Sequence, residues 1–289
     1  MINRILFTMH IMWYESKMIN ETLDSIAESI VYSSIPVDIV LYLNSQTYLE
    51  KPITGNSSDM FKEFLSHPLI KECNIFYKTD DDPFYNIGDF RRDLYNPSYK
   101  YTVWGESDCL LPINYFYILS NVNIDELHIL SFASRKMWDY TWSEVEHTAF
   151  KSYEYVDSNK PLEHLEYVPY RYFDVISQNE LNSFNETEFN INIYRLNNIK
   201  VDGSLLALSN NLPHPFIHKN LHFVREDTYA ALFFTIKNIS QYHVSNVLKG
   251  HNYNHPLKRC NTVATRSDDA FKQYEQISYE LINKLWNEQ

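Results

Sequence analysis

Across the first 135 residues, short apolar runs alternate with stretches of helical period, and no other feature of the chain limits its fold as tightly. Residues 5–11 form a short, mostly apolar run, and residues 37–43 are apolar at every position except Asp38. Runs of this length bounded by polar residues read as strands, the second buried on both faces. Between them Met18, Ile19, Leu23, Ile26 and Ile30 recur at helical spacing, and Ser16 or Asn20 is placed to cap the start. Residues 59–65 read as helical, 74–78 as a strand and 90–94 as a short helix. After a strand beginning at Tyr101, Pro112 opens a helix through Ser120, and residues 128–133 form another strand. A parallel connection needs a crossover long enough to hold a helix. The alternation therefore predicts an α/β fold: a mainly parallel central sheet with helices on both faces.

The second half is less regular. Residues 188–196 and 205–209 read as strands, and residues 241–249 as a strand ending at Gly250-His251. A helix starts at Arg225-Glu226-Asp227 and runs to about Lys237; an amphipathic helix covers 267–286. Neither a linker nor an internal repeat divides the chain, so a single domain over 1–289 is expected.

In parallel sheets ligands collect beyond the carboxyl ends of the strands. Asn44, Arg91 and Asp108 lie just past such ends. Most informative is Y-T-V-W-G-E-S-D-C-L-L-P, residues 101–112, where an aromatic and β-branched strand runs into Glu106 and Asp108. Positions i and i+2 of an extended backbone face the same side, so both carboxylates look into one space. Two hard oxygen ligands suit a divalent cation that also takes substrate phosphates. The same spacing also arises as ordinary surface charge.

A net charge of −12 and a pI near 5.3 exclude a general nucleic-acid binder, which needs a basic footprint. Three cysteines without paired spacing point to a reducing, cytoplasmic setting and away from a cysteine metal site. No apolar run approaches a membrane span, and the start is too short in apolar residues for a secretion signal. The 23 tyrosines and 17 phenylalanines could stack against flat rings or sugar faces, but most of them are expected to fill the core.

At these residues the chain resembles the family 2 glycosyltransferases with the A-type nucleotide-sugar (GT-A) fold, over 5–120 and 225–255. Glu15 followed by I-N-E-T-L-D-S-I is similar to the family's opening, and Asn86-Ile87-Gly88 with Arg91-Arg92 to its N-x-G stretch. V-W-G-E-S-D-C-L-L-P resembles its D-x-D strand end, R-E-D-T-Y its E-D motif, and V-L-K-G-H its late histidine. The chain departs from the pattern in having Glu106 as the first acid and Asn44-Ser45 where an aspartate would face the base. Residues 121–222 carry no motif of the family.

The resemblance implies a nucleotide-sugar-binding half over 1–120 and an acceptor-side half with the carboxyl-terminal helix over 121–289. Asp108 would hold Mn²⁺ (or Mg²⁺), Glu106 would hold it through water or touch the ribose, and His251 would be the third ligand. His251 stands in a histidine-rich segment with His243 and His255, and a solvated turn histidine is the other reading. Glu15 and Asn44 fall on the nucleotide side. Arg91 and Arg92 match phosphate with their planar forks, or else pair with Asp89 and Asp93. Asp227 would be the general base and Glu226 its support; two acids in a first helical turn also simply complement the dipole. Trp138, Asp139 and Trp142 would form an acceptor platform, or an aromatic cluster under a loop. The implied activity is transfer of a hexose from a nucleotide sugar, a UDP-sugar by preference, to a carbohydrate acceptor with inversion. The alternatives are a retaining enzyme on this fold, a nucleotidyltransferase making nucleotide sugars, and a non-catalytic carbohydrate- or nucleotide-binding protein. The nucleotidyltransferase reading lacks the glycine-rich phosphate loop such enzymes bring near the start.

Overall fold

A computed structural model describes residues 4–12, 15, 19–44, 61–62, 64–77, 86–135, 178–185, 191–197, 203–251 and 269–287. β1 (Ile5–Met12) pairs in parallel with β2 (Val37–Asn44) on one side and β4 (Tyr101–Glu106) on the other. β3 (Cys73–Tyr77) extends the sheet in parallel beyond β2. Beyond β4 lies β8 (Leu206–Ser209), antiparallel, and then β6 (His128–Arg135), antiparallel to β8. β9 (Ser240–His251) runs parallel to β6 and carries two short antiparallel strands, β5 (Cys109–Leu110) and β7 (Ile193–Arg195). β1, β2, β3, β4, β6 and β9 thus share one direction, and the expected mainly parallel α/β sheet is present.

Both faces are covered. Alternate side chains of β1, Ile5, Phe7, Met9 and Ile11, pack with Leu23 and Ile26 of α1 (Ile19–Ser33) and with Phe116 and Leu119 of α3 (Tyr115–Asn121). On the other face Leu6 of β1 and Val40 and Tyr42 of β2 meet Phe90 of α2 (Ile87–Asp93). Farther along that face Trp104, Leu206 and Leu208 meet Tyr229, Ala230 and Phe234 of α5 (Glu226–Ile236). Burying one such large apolar side chain contributes about 1.5–3 kcal/mol. α4 (Gln178–Asn185) packs on β9, and α6 (Asp269–Asn287) packs on α5. Among the described residues no helix is long and apolar enough to cross a membrane.

Several element boundaries depart from expectation. Asn20 lies inside α1 rather than capping it. α2 starts at Ile87, earlier than position 90, because Asn86 and Asp89 close a reciprocal capping box. Pro112 does not open α3: its carbonyl accepts from Tyr115 N–H in a turn, and the helix begins at Tyr115. Of the strand expected over 188–196, Ile193–Arg195 is observed, and 186–190 lie outside the described residues.

Candidate active site

The carboxyl edge of the sheet is where β1, β2 and β4 end. β4 ends at Glu106, and the turn that follows is pinned to α1: Thr22 Oγ1 donates to the Ser107 carbonyl at 2.7 Å. Leu111 N–H donates to Ser25 Oγ at 3.1 Å, fixing the chain just beyond. Asp108 is only 1% exposed in this turn. β9 reaches the same place from the other side, with His251 in backbone register with Cys109, next to Asp108 in the chain. The side chain of His251 lies outside the described part of the structure.

Opposite Glu106 stands α2. Its first turn docks tightly on the chain at 221–222, where Gly88 N–H donates to the His222 carbonyl at 2.6 Å. A β-carbon at Gly88 would lie 2.0 Å from the Leu221 carbonyl oxygen, so only glycine permits this approach. Docked in this way, α2 aims Arg91 inward, 3% exposed. The guanidinium donates to Glu226 Oε1 at 2.6 Å, to Glu106 Oε1 at 2.9 Å and to the Gly203 carbonyl at 2.7 Å. It lies 4.9 Å from the centre of the Trp104 ring, a cation–π contact. One arginine therefore joins the end of β4 to the start of α5, where Glu226 and Asp227 occupy the first turn.

Burial pushes the Glu226 carboxyl up to about 7, with Asp227 adding to the rise and Arg91 opposing it. Asp227 is half-buried and accepts from Thr228 N–H at 2.6 Å. It too titrates above the ordinary aspartate range: burial raises it, Arg91 and Thr228 oppose, and Glu106 adds to the rise. Burial alone would lower Arg91, but Glu226, Glu106 and Asp227 outweigh it and keep the guanidinium charged. Of the two adjacent carboxyls, Glu226 can take or give a proton near neutrality, and Asp227 holds its proton more tightly than an ordinary aspartate.

The other expected site residues fall as follows. Glu15 is buried and accepts from Met12 N–H at 2.8 Å, tying off β1. Asn44 closes β2, with Nδ2 3.3 Å from His10 Nε2, and His10 stacks on Tyr42. Arg92 turns away from the cluster and pairs with Asp89 and Asp93, the alternative reading for it. His243 is buried within β9, its Nδ1 3.0 Å from Ser131 Oγ. Trp138, Asp139, Trp142 and His255 lie outside the described residues. Among the described residues no group of three or more histidines, cysteines or acids is placed to hold a metal ion. Asp108 and Glu106 alone do not complete such a site, and Glu106 Oε1 already accepts from Arg91.

Sequence reasoning missed Trp104, Gly203, Ser204 and Lys249. Lys249 is fully buried and its ammonium donates to the Ser204 carbonyl and, at 2.9 Å, to Ser204 Oγ. Two buried cations thus hold consecutive residues, Gly203 by Arg91 and Ser204 by Lys249. A β-carbon at Gly203 would lie 2.6 Å from Arg91 Nη1. No sequence spacing signals these contacts; the lysine within V-L-K-G-H was the one visible trace.

No family model matches the chain, and no curated protein sequence matches it. Among solved structures it is similar to the inositol-1-phosphate CTP transferase from T. maritima, with 11% identity over 98% of this chain and 96% of that one. The TM-score of that pair is 0.38, a likeness too loose to carry an argument about chemistry.

Proposed function

We propose that this chain is a transferase that moves a hexose from a nucleotide sugar, a UDP-sugar by preference, to a carbohydrate acceptor. The observation that carries the reading is the cluster of Arg91, Glu106, Glu226 and Asp227 at the carboxyl edge of the sheet, with Glu226 titrating at about 7. The family resemblance of the E-S-D and R-E-D-T-Y segments supports it. Asp227 is the base: half-exposed, it accepts the proton of the acceptor hydroxyl while that oxygen bonds to the anomeric carbon. The bond from that carbon to the diphosphate oxygen breaks with its electron pair on the oxygen, and the anomeric centre inverts. Glu226, held by Arg91, fixes the direction of Asp227. Asp108 with His251 would hold Mn²⁺, which when bound supplies positive charge to the leaving diphosphate.

Incubation with a panel of nucleotide sugars and carbohydrate acceptors, with and without Mn²⁺, tests the reading. Acceptor-dependent release of nucleoside diphosphate is expected. Release of pyrophosphate from a nucleoside triphosphate and a sugar phosphate would instead mark a nucleotidyltransferase, and no turnover would mark a binding protein.

A further inference from the structure

Glu226 is preceded by two residues in the left-handed region, Val224 (φ 67°) and Arg225 (φ 60°). Neither is glycine, and a β-branched residue there is an outlier that the surrounding structure must enforce. Arg225 stands at the N-cap position of α5 without a side-chain cap bond, so capping does not enforce it. The segment that ends in these two residues is held by α2 at His222 and by α6 at 223–225.

From α2, Gly88 N–H donates to the His222 carbonyl at 2.6 Å, and His222 Nδ1 lies 2.8 Å from Asp89 Oδ2. From α6 the contacts fall on the next three residues. Phe223 packs on Tyr274 with ring centres 4.7 Å apart. Ser278 Oγ lies 3.0 Å from the Val224 carbonyl and 2.9 Å from the Tyr274 carbonyl, its one proton serving both. Arg225 donates to Glu275 Oε1 at 3.0 Å and to the Tyr279 hydroxyl, with its guanidinium 4.2 Å from the Tyr279 ring centre. The α2 that grips one end of this segment is the helix that carries Arg91. The direction in which the chain enters α5 therefore depends on both helices at once.

We infer that α6 is a positioning element for the Glu226–Asp227 pair, acting through the strained 222–225 segment, with Ser278 and Tyr279 as positioning residues. α6 also packs along α5 through Leu281, Ile282 and Leu285, but at the entry to that helix its described contacts fall on this segment. A displacement of about 1 Å at a reacting group is enough to cost on the order of 100-fold in rate. The inference rests on the roles proposed above for Glu226 and Asp227.

The test uses the full chain carrying Tyr279→Ala, Tyr279→Phe or Ser278→Ala. Its readouts are UDP binding with Mn²⁺, turnover of the UDP-hexose found in the panel, and ¹³C NMR titration of the Glu226 carboxyl. Tyr279→Ala is expected to leave UDP affinity and donor KM unchanged and to lower kcat on the order of tenfold. The Glu226 midpoint is expected to move down from about 7 as water reaches a loosened pair. Tyr279→Phe keeps the ring under Arg225 and is expected to recover most of the loss. A folded Tyr279→Ala protein with wild-type kcat, or with a wild-type Glu226 midpoint, overturns the inference. Should Tyr279→Ala fail to fold, Ser278→Ala removes a single hydroxyl and is judged by the same readouts. Asp227→Asn is measured alongside: full activity there removes the catalytic reading, and the Glu226 midpoint alone then decides whether α6 positions the pair.

Discussion

Replacing Arg91 by methionine keeps much of the buried volume and removes the charge. Glu226, 7% exposed, loses the donor at 2.6 Å, and Glu106 loses the one at 2.9 Å. Removing one partner of a buried ion pair costs about 3–5 kcal/mol, because the remaining charge is left without compensation. Against a total stability of about 5–15 kcal/mol this is a large loss. The cost must also depend on pH. Glu226 holds its proton more tightly folded than unfolded, so the wild-type protein loses stability as pH rises from the ordinary 4.5 through about 7. Without Arg91 the carboxyl is pushed higher still, and the losing window extends upward. At pH 5 Glu226 is protonated in both proteins, so the penalty there is smaller by about 1.5–3 kcal/mol, the worth of one charge-assisted hydrogen bond. Urea unfolding of both proteins at pH 5 and pH 8 measures this directly. The double variant Arg91→Met, Glu226→Gln should regain a large part of the loss at pH 8. An equal penalty at both pH values, or one below about 1 kcal/mol at pH 8, would refute the view that Arg91 compensates buried carboxylates.

Asp108→Ala should abolish Mn²⁺-dependent UDP binding, and His251→Ala should weaken it less; calorimetric titration checks both, and normal binding by Asp108→Ala rules out the metal assignment. Asp227→Asn should lower the rate by about 10²–10⁴ while UDP affinity stays near normal, as for loss of a general base. NMR assignment of the product anomer should show inversion, and a retained anomer with active Asp227→Asn would leave Asp227 an acceptor-binding residue. Gly203→Ala should destabilise by about 1–3 kcal/mol through overpacking against Arg91 Nη1, 2.6 Å from the new β-carbon, and thermal unfolding that matches wild type would contradict the contact.

What the sequence made legible follows from the range over which each signal acts. β1, β2 and α1 were readable because periodicity and apolar runs are local. The extended geometry expected to put Glu106 and Asp108 on one side does not form, because β4 ends at Glu106 and a turn carries Asp108. The early start of α2 was also local, written as Asn86 three residues before Asp89, and went unread. Arg91 was picked out for its fork, but its partners lie 15 and 135 residues away, and no spacing rule reaches that far. The direction of β8 was equally hidden: a four-residue strand, L-A-L-S, carries no mark of whether it runs with or against its neighbours.

That short strand has a consequence for how the chain is made. β8 sits between β4 and β6, so the edge of β4 stays open until residues 206–209 leave the ribosome. About 100 residues separate the end of β4 from the start of β8, roughly 5–20 s of synthesis at common elongation rates. Throughout that interval a growing chain offers an unpaired, aromatic-rich strand edge to any other strand it meets. A fragment ending near residue 135 would keep that edge open permanently, and in the cell it would be a substrate for chaperones and a seed for aggregates.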